Sequence, residues 1–355
     1  MNNNYTWVSN KKITLIGVSI MALTFSYFQQ NKSNEPIRFK NSEIEYTTSA
    51  SNIWDIAKAY ISTTRTEATP KNAVPVQTIS VDELMQEQEA VLYRLGHSSV
   101  LVKLDGQFIL TDPVFSDRAS PVQWAGPKRF HNTPISIANL PAIQVVAISH
   151  DHYDHLDKHA VKLLNDKVAH FVVPLRVGAL LQKWGIAENK ITELDWWQST
   201  TLNGIEFSLA PTQHFSGRGL TDKNSTLWGS WAIKGKQANI FFSGDSGYFS
   251  GFKEIGEKYG PFDLTMIETG AYNELWSDIH MFPAQSVQAN LDLNGKVMMP
   301  IHNSTFDLAL HDWKDPLEQV SALSKEKNVS LVTPMIGEKL NITKPQKTSA
   351  WWRDL

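Results

Sequence analysis

Residues 150–155 of this chain read His-Asp-His-Tyr-Asp-His, and this hexapeptide constrains the fold more than any other feature of the sequence. It follows an apolar run, residues 144–149, and precedes a segment with helical periodicity. Three imidazoles and the carboxylate of Asp154 are nitrogen and oxygen ligands of the kind that zinc, iron or manganese accept. The hexapeptide therefore predicts a metal site at the end of a strand.

A polar loop whose histidines happen to be neighbours is the alternative interpretation. Protonated imidazoles this close would repel one another, and burying them without a partner would cost free energy. A bound divalent cation removes both difficulties. A metal site of this kind needs further His or Asp ligands, also at strand ends.

His214, Asp245 and His302 meet this need, since each follows a predicted strand. Sheet proteins commonly build their sites at the carboxyl ends of strands. Together with the hexapeptide they make seven ligands, which are too many for one tetrahedral ion and suit two. We predict one ion on His150, His152 and His214, a second on Asp154, His155 and His302, and Asp245 as the bridge between them.

The composition excludes several other classes of protein. No cysteine is present among the 355 residues, so disulfides and thiolate ligands are excluded and any metal is held by His, Asp or Glu. A net charge of −3, without long Lys/Arg runs, offers no basic surface for nucleic acid. The hydrophobic content of 42% is ample for a core.

The amino terminus has the layout of a targeting signal. Residues 13–28 have no charge and follow Lys11 and Lys12, which is typical of a signal peptide or a short signal anchor. No small-residue cleavage site is evident, which favours an anchor; a buried helix is the alternative. With an anchor, the positive-inside rule places the rest of the chain outside the inner membrane. We therefore expect a protein of the cell envelope, either membrane-anchored or periplasmic.

The chain divides into three predicted parts. Residues 1–30 form the signal peptide or membrane anchor, and residues 31–80 form a linker that docks through its apolar residues 53–57. Residues 81–355 form the domain with the metal site. Its first strands are connected by hairpins, with Asp105-Gly106 as a two-residue turn, and later strands alternate with helices. This mixture predicts an α+β fold with helices packed outside the sheets.

The His-x-His-x-Asp-His loop with the later His, Asp and His resembles the metallo-β-lactamase superfamily. Within it, residues 80–310 resemble the N-acylphosphatidylethanolamine-hydrolysing phospholipase D family and its bacterial relatives. The stretches that carry the resemblance are GHSSVLV (96–102), TDPVFSDRASPVQWAGPKRF (111–130), ISHDHYDHLD (148–157), ELDWW (193–197), LWGSW (227–231), FFSGDSGY (241–248) and GPFDL (260–264). The family usually has an aromatic residue after its last His ligand, whereas this chain has Asn303.

The resemblance implies a four-layered αββα sandwich with a dinuclear zinc site, and makes residues 81–355 a hydrolase domain. It implies a phospholipase D-type phosphodiesterase that acts on N-acyl phosphatidylethanolamine-like phospholipids through a hydroxide bridging two zinc ions. Asp154 and His280 are expected to be catalytic, with His280 near the phosphate or the leaving group. We expect His97 and Asp112 to hydrogen-bond to ligand imidazoles.

The expected partners are a phospholipid or other phosphodiester substrate, a membrane surface and, for assembly, a second copy of the chain in a homodimer. Two other functions remain open. One is a metal-dependent lactonase or carboxylic ester hydrolase, and the other is a non-catalytic metal-binding protein of the envelope. Most tryptophans are expected in the core, while some line an apolar channel for acyl chains; the candidates are Trp124, Trp196, Trp197, Trp228, Trp231 and Trp276.

Overall fold

The computed structural model describes residues 38–46 and 50–355, and residues 39–355 form one compact unit. The predicted signal peptide or anchor, residues 1–30, lies outside the described residues. Among the helices that are described, none has the length and hydrophobicity needed to cross a bilayer.

Two seven-stranded mixed sheets form the centre of this unit. The first contains β1 (Val91–Gly96), β2 (Ser99–Leu104), β3 (Gln107–Thr111), β4 (Ile143–Ala147), β5 (Val168–Pro174), β6 (Ile191–Leu194) and β14 (Lys339–Asn341), in the order β14-β1-β2-β3-β4-β5-β6. In this order, β14, β1, β2 and β3 pair antiparallel with one another, and β3, β4, β5 and β6 pair parallel.

The second sheet contains β7 (Ser199–Leu202), β8 (Ile205–Ala210), β9 (Ser230–Lys234), β10 (Asn239–Phe242), β11 (Leu264–Glu268), β12 (Val297–Ile301) and β13 (Ser330–Leu331). Its order is β13-β12-β11-β10-β9-β8-β7. Strands from β7 to β10 pair antiparallel, and strands from β10 to β13 pair parallel.

Helices cover the outer face of each sheet. The helices are α1 (Ala50–Ser62), α2 (Val81–Gln86), α3 (Lys158–Leu164), α4 (Val177–Lys183), α5 (Gly251–Tyr259), α6 (Pro283–Asp292) and α7 (Asp315–Glu326). Apolar residues of α2, α3 and α4 pack on the first sheet, and those of α5, α6 and α7 pack on the second. The layers therefore follow the order αββα, which confirms the predicted four-layered α+β sandwich.

The strands alternate between two cores. In β4, Val145 and Ala147 pack between the sheets, whereas Val146 packs against the helices. In β10, Ile240 likewise packs between the sheets, and Phe241 packs against the helices. Because successive side chains of a strand point to opposite faces, a strand covered on both faces is mostly apolar. The predicted ligands accordingly lie in loops that follow the strands.

Two local predictions are confirmed. Asp105 and Gly106 join β2 to β3 with φ of +50° and +76°, the positive values that a type I′ hairpin turn requires. Asp157 caps α3 by accepting hydrogen bonds from the backbone N–H groups of His159 and Ala160. Residues 53–57, predicted as the docking part of a linker, lie within α1.

Candidate metal centre

Three imidazoles meet where the loops after β4 and β8 approach each other. His150 Nε2 lies 2.9 Å from His152 Nδ1, and that nitrogen lies 3.3 Å from His214 Nε2. We call these three residues the imidazole group. It is the set predicted to hold the first ion.

A second group contains a carboxylate. Asp154 Oδ2 lies 3.5 Å from His155 Nε2 and 3.3 Å from His302 Nε2. We call Asp154, His155 and His302 the carboxylate group; it is the set predicted to hold the second ion. His97, in the turn between β1 and β2, adds its Nε2 at 3.1 Å from the same oxygen.

Asp245 lies between the two groups, in the loop after β10. Its Oδ2 is 3.9 Å and 3.8 Å from the Nε2 atoms of His150 and His214, and 3.2 Å and 3.1 Å from those of His155 and His302. Burial opposes ionisation of Asp245, but His155 and His302 outweigh it and hold the pKa of its carboxyl well below the usual range. A single carboxylate oxygen thus faces donor nitrogens of both groups.

These donor atoms fit divalent cations. Ligand atoms placed tetrahedrally at zinc distances lie about 3.3 Å from one another, which is close to the separations within each group. Asp245 Oδ1, His155 Nε2 and His302 Nε2 are buried without a hydrogen-bond partner among the described residues, an arrangement that polar atoms in proteins rarely tolerate. Burial also lowers the pKa of His150 and His214 well below its ordinary value, which favours the neutral form that binds metals.

Asp112, directly after β3, supports the predicted ligands. Its Oδ2 accepts a hydrogen bond from His155 Nδ1 at 2.7 Å, so the predicted contact with an imidazole of the hexapeptide is present. Ser149 donates its backbone N–H and its hydroxyl to the same carboxylate, at 2.7 Å and 2.5 Å, and its Oγ lies 2.9 Å from His150 Nδ1. Such contacts turn the remaining ring nitrogen towards the metal position. The prediction for His97 was wrong, because its hydrogen bond goes to the carboxylate of Asp154 and not to an imidazole. The His97 ring packs against that of His302, with centroids 4.0 Å apart.

The two residues between the ligands of the hexapeptide hold the neighbouring loop. Asp151 accepts hydrogen bonds from Gly217 N at 2.8 Å and from Thr226 Oγ1 at 2.9 Å. Tyr153 donates its hydroxyl to Arg218 O at 2.8 Å, and the Arg218 guanidinium stacks on its ring. Asp151 and Tyr153 therefore lie outside both groups and fix the loop before β9.

His280 lies beside the centre, where its ring centroid is 5.1 Å from that of His214 and 5.4 Å from that of His302. Its Nδ1 is hydrogen-bonded to Oε1 of Glu268, the last residue of β11. The sequence reasoning included His280 but missed Glu268. The available signal was its place at a strand end, the same signal that identified Asp245 and His302.

A cavity of about 310 Å³ opens over the centre. Its floor contains His152, Asp154, Asp245, His280 and His302, and its walls are Tyr46, Ile56, Tyr60, Phe215, Ala271, Trp276, Ile279 and Leu308. A larger groove of about 720 Å³, along residues 73–78 and 117–133, contains none of the seven predicted ligands.

Tyr46 and two residues of α1, Ile56 and Tyr60, supply one wall of this cavity. Tyr60 of α1 stacks on Trp276 with ring centroids 6.4 Å apart, and its hydroxyl donates to Leu308 O at 3.2 Å. Among the six candidate tryptophans, Trp228 and Trp231 are in the core, Trp276 lines the cavity and Trp124 is 83% exposed. Tertiary contacts therefore cover the metal centre with apolar side chains.

The family model for a beta-lactamase superfamily domain matches residues 107–303, more than half of the chain. The uncharacterized protein Rv0906 of Mycobacterium tuberculosis is 45% identical over 262 residues, which cover 73% of this chain and 70% of that protein. The N-acyl-phosphatidylethanolamine-hydrolyzing phospholipase D 1 of Caenorhabditis elegans is 36% identical over 285 residues, 75% of this chain and 80% of that protein. Outer membrane protein RomA of Klebsiella pneumoniae is 47% identical over 92 residues, 26% of this chain and 69% of that protein.

Solved structures share the fold. Igni18, a metallo hydrolase from the hyperthermophilic archaeon Ignicoccus hospitalis, superposes with a TM-score of 0.55 at 20% sequence identity. The superposition covers 71% of this chain and 98% of Igni18. At this identity the likeness extends to the fold alone.

Proposed function

The chain belongs to the metallo-β-lactamase superfamily, and from this membership and the geometry of its centre we propose that it is a dinuclear zinc phosphodiesterase. Membership makes it a metal-dependent hydrolase of that superfamily. To this we add two zinc ions per chain and a phospholipid substrate. The observation that carries the substrate class is the position of the ligands at the floor of an apolar cavity.

The ligand assignment follows the two groups. The imidazole group, His150, His152 and His214, holds one zinc ion, the carboxylate group, Asp154, His155 and His302, holds the other, and Asp245 contacts both. Nitrogen and carboxylate donors suit zinc, and the chain has no thiolate to offer. Bound there, such cations would supply a water of lowered pKa, so that hydroxide exists near neutral pH, and would polarise a phosphoryl oxygen.

The cavity favours a lipid over a small polar diester. Eight wall residues of mainly apolar or aromatic character surround the entrance, while the charged and imidazole side chains lie at the floor. A phospholipid has the matching two parts: acyl chains that are stabilised by apolar contact and a phosphate that is stabilised by cations. The name of the Caenorhabditis elegans relative supports an N-acyl phosphatidylethanolamine-like substrate.

Two side chains of the floor act on the reaction. Asp154, which lines the cavity, would orient the attacking water. His280 has its Nδ1 engaged by Glu268, which leaves Nε2 for the substrate. As the new bond from water to phosphorus forms and the bond from phosphorus to the alcohol oxygen breaks, His280 Nε2–H donates its proton to the leaving oxygen. The products are a phosphomonoester and an alcohol.

Metal analysis of the purified full chain, combined with a hydrolysis panel, tests this function. The panel contains N-acyl phosphatidylethanolamine, phosphatidylcholine, a nitrophenyl phosphodiester and a lactone. We expect two zinc ions per chain and release of the head-group alcohol. Turnover of the lactone with none of the diesters would replace the phosphodiesterase by a lactonase, and no turnover of any substrate would favour a non-catalytic metal protein.

His150→Ala provides the matched variant, because it removes one ligand of the imidazole group. His159→Ala is its control, since His159 is an exposed imidazole on α3 outside both groups. The first variant is expected to lose metal and activity, and the second to keep both. Equal behaviour of the two variants would contradict the ligand assignment.

We also propose a location in the cell envelope, membrane-anchored or periplasmic. The charge-free residues 13–28 support it, as does the name of the RomA relative. Fractionation of cells is expected to place the full chain with the membranes or in the periplasm, and recovery in the cytosol would contradict it. The predicted homodimer is tested by light scattering of the same preparation.

A further inference from the structure

Glu268 is a fully buried carboxylate at the carboxyl end of β11, beside the metal centre. Its Oε1 is hydrogen-bonded to His280 Nδ1, and its Oε2 accepts the backbone N–H of Ser246 at 2.6 Å. Both carboxylate oxygens are therefore hydrogen-bonded within this chain.

This engagement separates Glu268 from the metal ligands. Its carboxylate lies within 4.8 Å of donor atoms of Asp245 and His302, so its residue type and place would suit a ligand. However, each Glu268 oxygen already has a hydrogen-bond partner in this chain, whereas Asp245 Oδ1 and His302 Nε2 are buried without one among the described residues. Buried polar atoms without a partner are the ones that a metal ion would satisfy. The geometry thus favours contact with His280 over contact with a metal.

The backbone of Glu268 is held on both sides. Its N–H donates to Ser243 Oγ at 2.9 Å, and its carbonyl accepts from Ser286 Oγ of α6 at 2.7 Å. Both contacts come from elements that pack on β11. A side chain supported by such contacts keeps its neighbour within the narrow geometry that catalysis needs.

We propose that Glu268 is a positioning residue that fixes His280 with Nε2 towards the leaving oxygen. It also ties this imidazole to the Asp245 loop through Ser246 N. As Nε2 gives its proton to the departing alcohol, the proton shared between Glu268 and His280 Nδ1 settles on Nδ1, so that the ring leaves the step as a neutral imidazole. Water later restores the Nε2 proton. In many enzymes a catalytic acid or base is held in its reactive orientation by a hydrogen bond from a neighbouring side chain. The role rests on the proposed function.

The test compares two diesters with the same phosphate but different leaving groups, an alkyl alcohol and nitrophenol. The alkoxide needs a proton to leave, whereas nitrophenolate leaves without one. Glu268→Gln is expected to lower kcat for the alkyl diester by about 10²-fold, the lower end of general acid effects, with little change in KM or in zinc content. Its kcat for the nitrophenyl diester is expected to stay within a few-fold.

A double-mutant cycle with His280→Gln sharpens the result. If Glu268 acts through His280, adding Glu268→Gln to His280→Gln brings no further loss. Glu274→Gln is the control, because Glu274 is an exposed acid at the start of a short 3-10 helix, Glu274–Trp276. Equal losses on both diesters, loss of zinc, or additive effects in the cycle would overturn the positioning role.

A readout without turnover separates this proposal from the proposed function. The proton in the Glu268–His280 hydrogen bond is expected to give a downfield NMR resonance in the full chain that Glu268→Gln shifts and His280→Gln removes. Its absence from the unsubstituted protein would overturn the proposal for any substrate. If no phosphodiester is hydrolysed but esters are, the same comparison is made with alkyl and aryl esters.

Discussion

The imidazole group and the carboxylate group lie side by side around Asp245, yet they differ in charge and in support. The imidazole group consists of three imidazoles, and burial lowers the pKa of His150 and His214 so that they stay neutral. Its supporting contacts are uncharged: Ser149 Oγ lies beside His150 Nδ1, and Ile279 O accepts a hydrogen bond from His214 Nδ1 at 2.9 Å. The second contains Asp154, is contacted by His97, and has the carboxylate of Asp112 behind His155.

This difference teaches that two ions in one site need not be equivalent. A carboxylate ligand adds a negative charge that a neutral imidazole lacks, and a carboxylate behind an imidazole raises its basicity. We therefore expect the carboxylate group to bind its ion more tightly than the imidazole group. Asp245 couples them, because its Oδ2 faces nitrogens of both.

The largest effect is expected for Asp245→Asn, which weakens both groups together. Activity should fall by at least about 10³-fold, beyond the 10²–10³ typical of one lost charge-stabilising contact, and much of the metal should be lost. Metal analysis and kcat/KM measure the outcome. Retention of two zinc ions with near-normal turnover would contradict the dinuclear assignment.

Replacing one ligand in each group tests their independence. His150→Ala is expected to leave about one ion per chain, held by the carboxylate group, and His302→Ala to leave about one ion in the imidazole group. Each variant should lower activity by about 10²–10³-fold, since one of the two cations that stabilise charge in the transition state is lost. Zinc titration with a chelator competitor measures the remaining affinity. Loss of both ions in either variant would show that the groups bind as one unit.

Asp112→Asn probes the support behind His155. The amide keeps the shape but loses the charge, so we expect metal affinity to fall by about 10–100-fold, the usual cost of such a change. The loss should be greater for the ion of the carboxylate group. Ser149→Ala is the matched comparison on the side of His150 and should cost less. The reverse order would contradict the proposed inequality of the two groups.

The smallest effect on metal is expected for Asp151→Asn, within the hexapeptide but outside both groups. It weakens the contacts with Gly217 and Thr226, so the free energy of unfolding should fall by about 1–3 kcal/mol. Urea unfolding measures this, and zinc content should stay unchanged. Loss of an ion would place Asp151 among the ligands.

Much of this architecture is predictable because it depends on local pattern. The Asp105-Gly106 turn and the Asp157 cap each need only a few neighbouring residues to form, and both are present. Strand ends followed by His or Asp identified His214 and Asp245, because an apolar run and the polar residue after it are visible in one stretch of sequence. The contact of His97 was mispredicted, since nothing near it in sequence specifies Asp154 as its neighbour.

By itself, the sequence determined which donor types are available, most of the strands and helices around the site, and the family, since each depends on residue type and spacing. Only the tertiary structure decided that Glu268 meets His280, that His97 meets Asp154, and that α1 covers the centre. Tyr60 and Leu308 are 248 residues apart in the chain and yet share a hydrogen bond. Such contacts follow from how layers pack, because burial is non-directional and acts between surfaces rather than between neighbours in sequence.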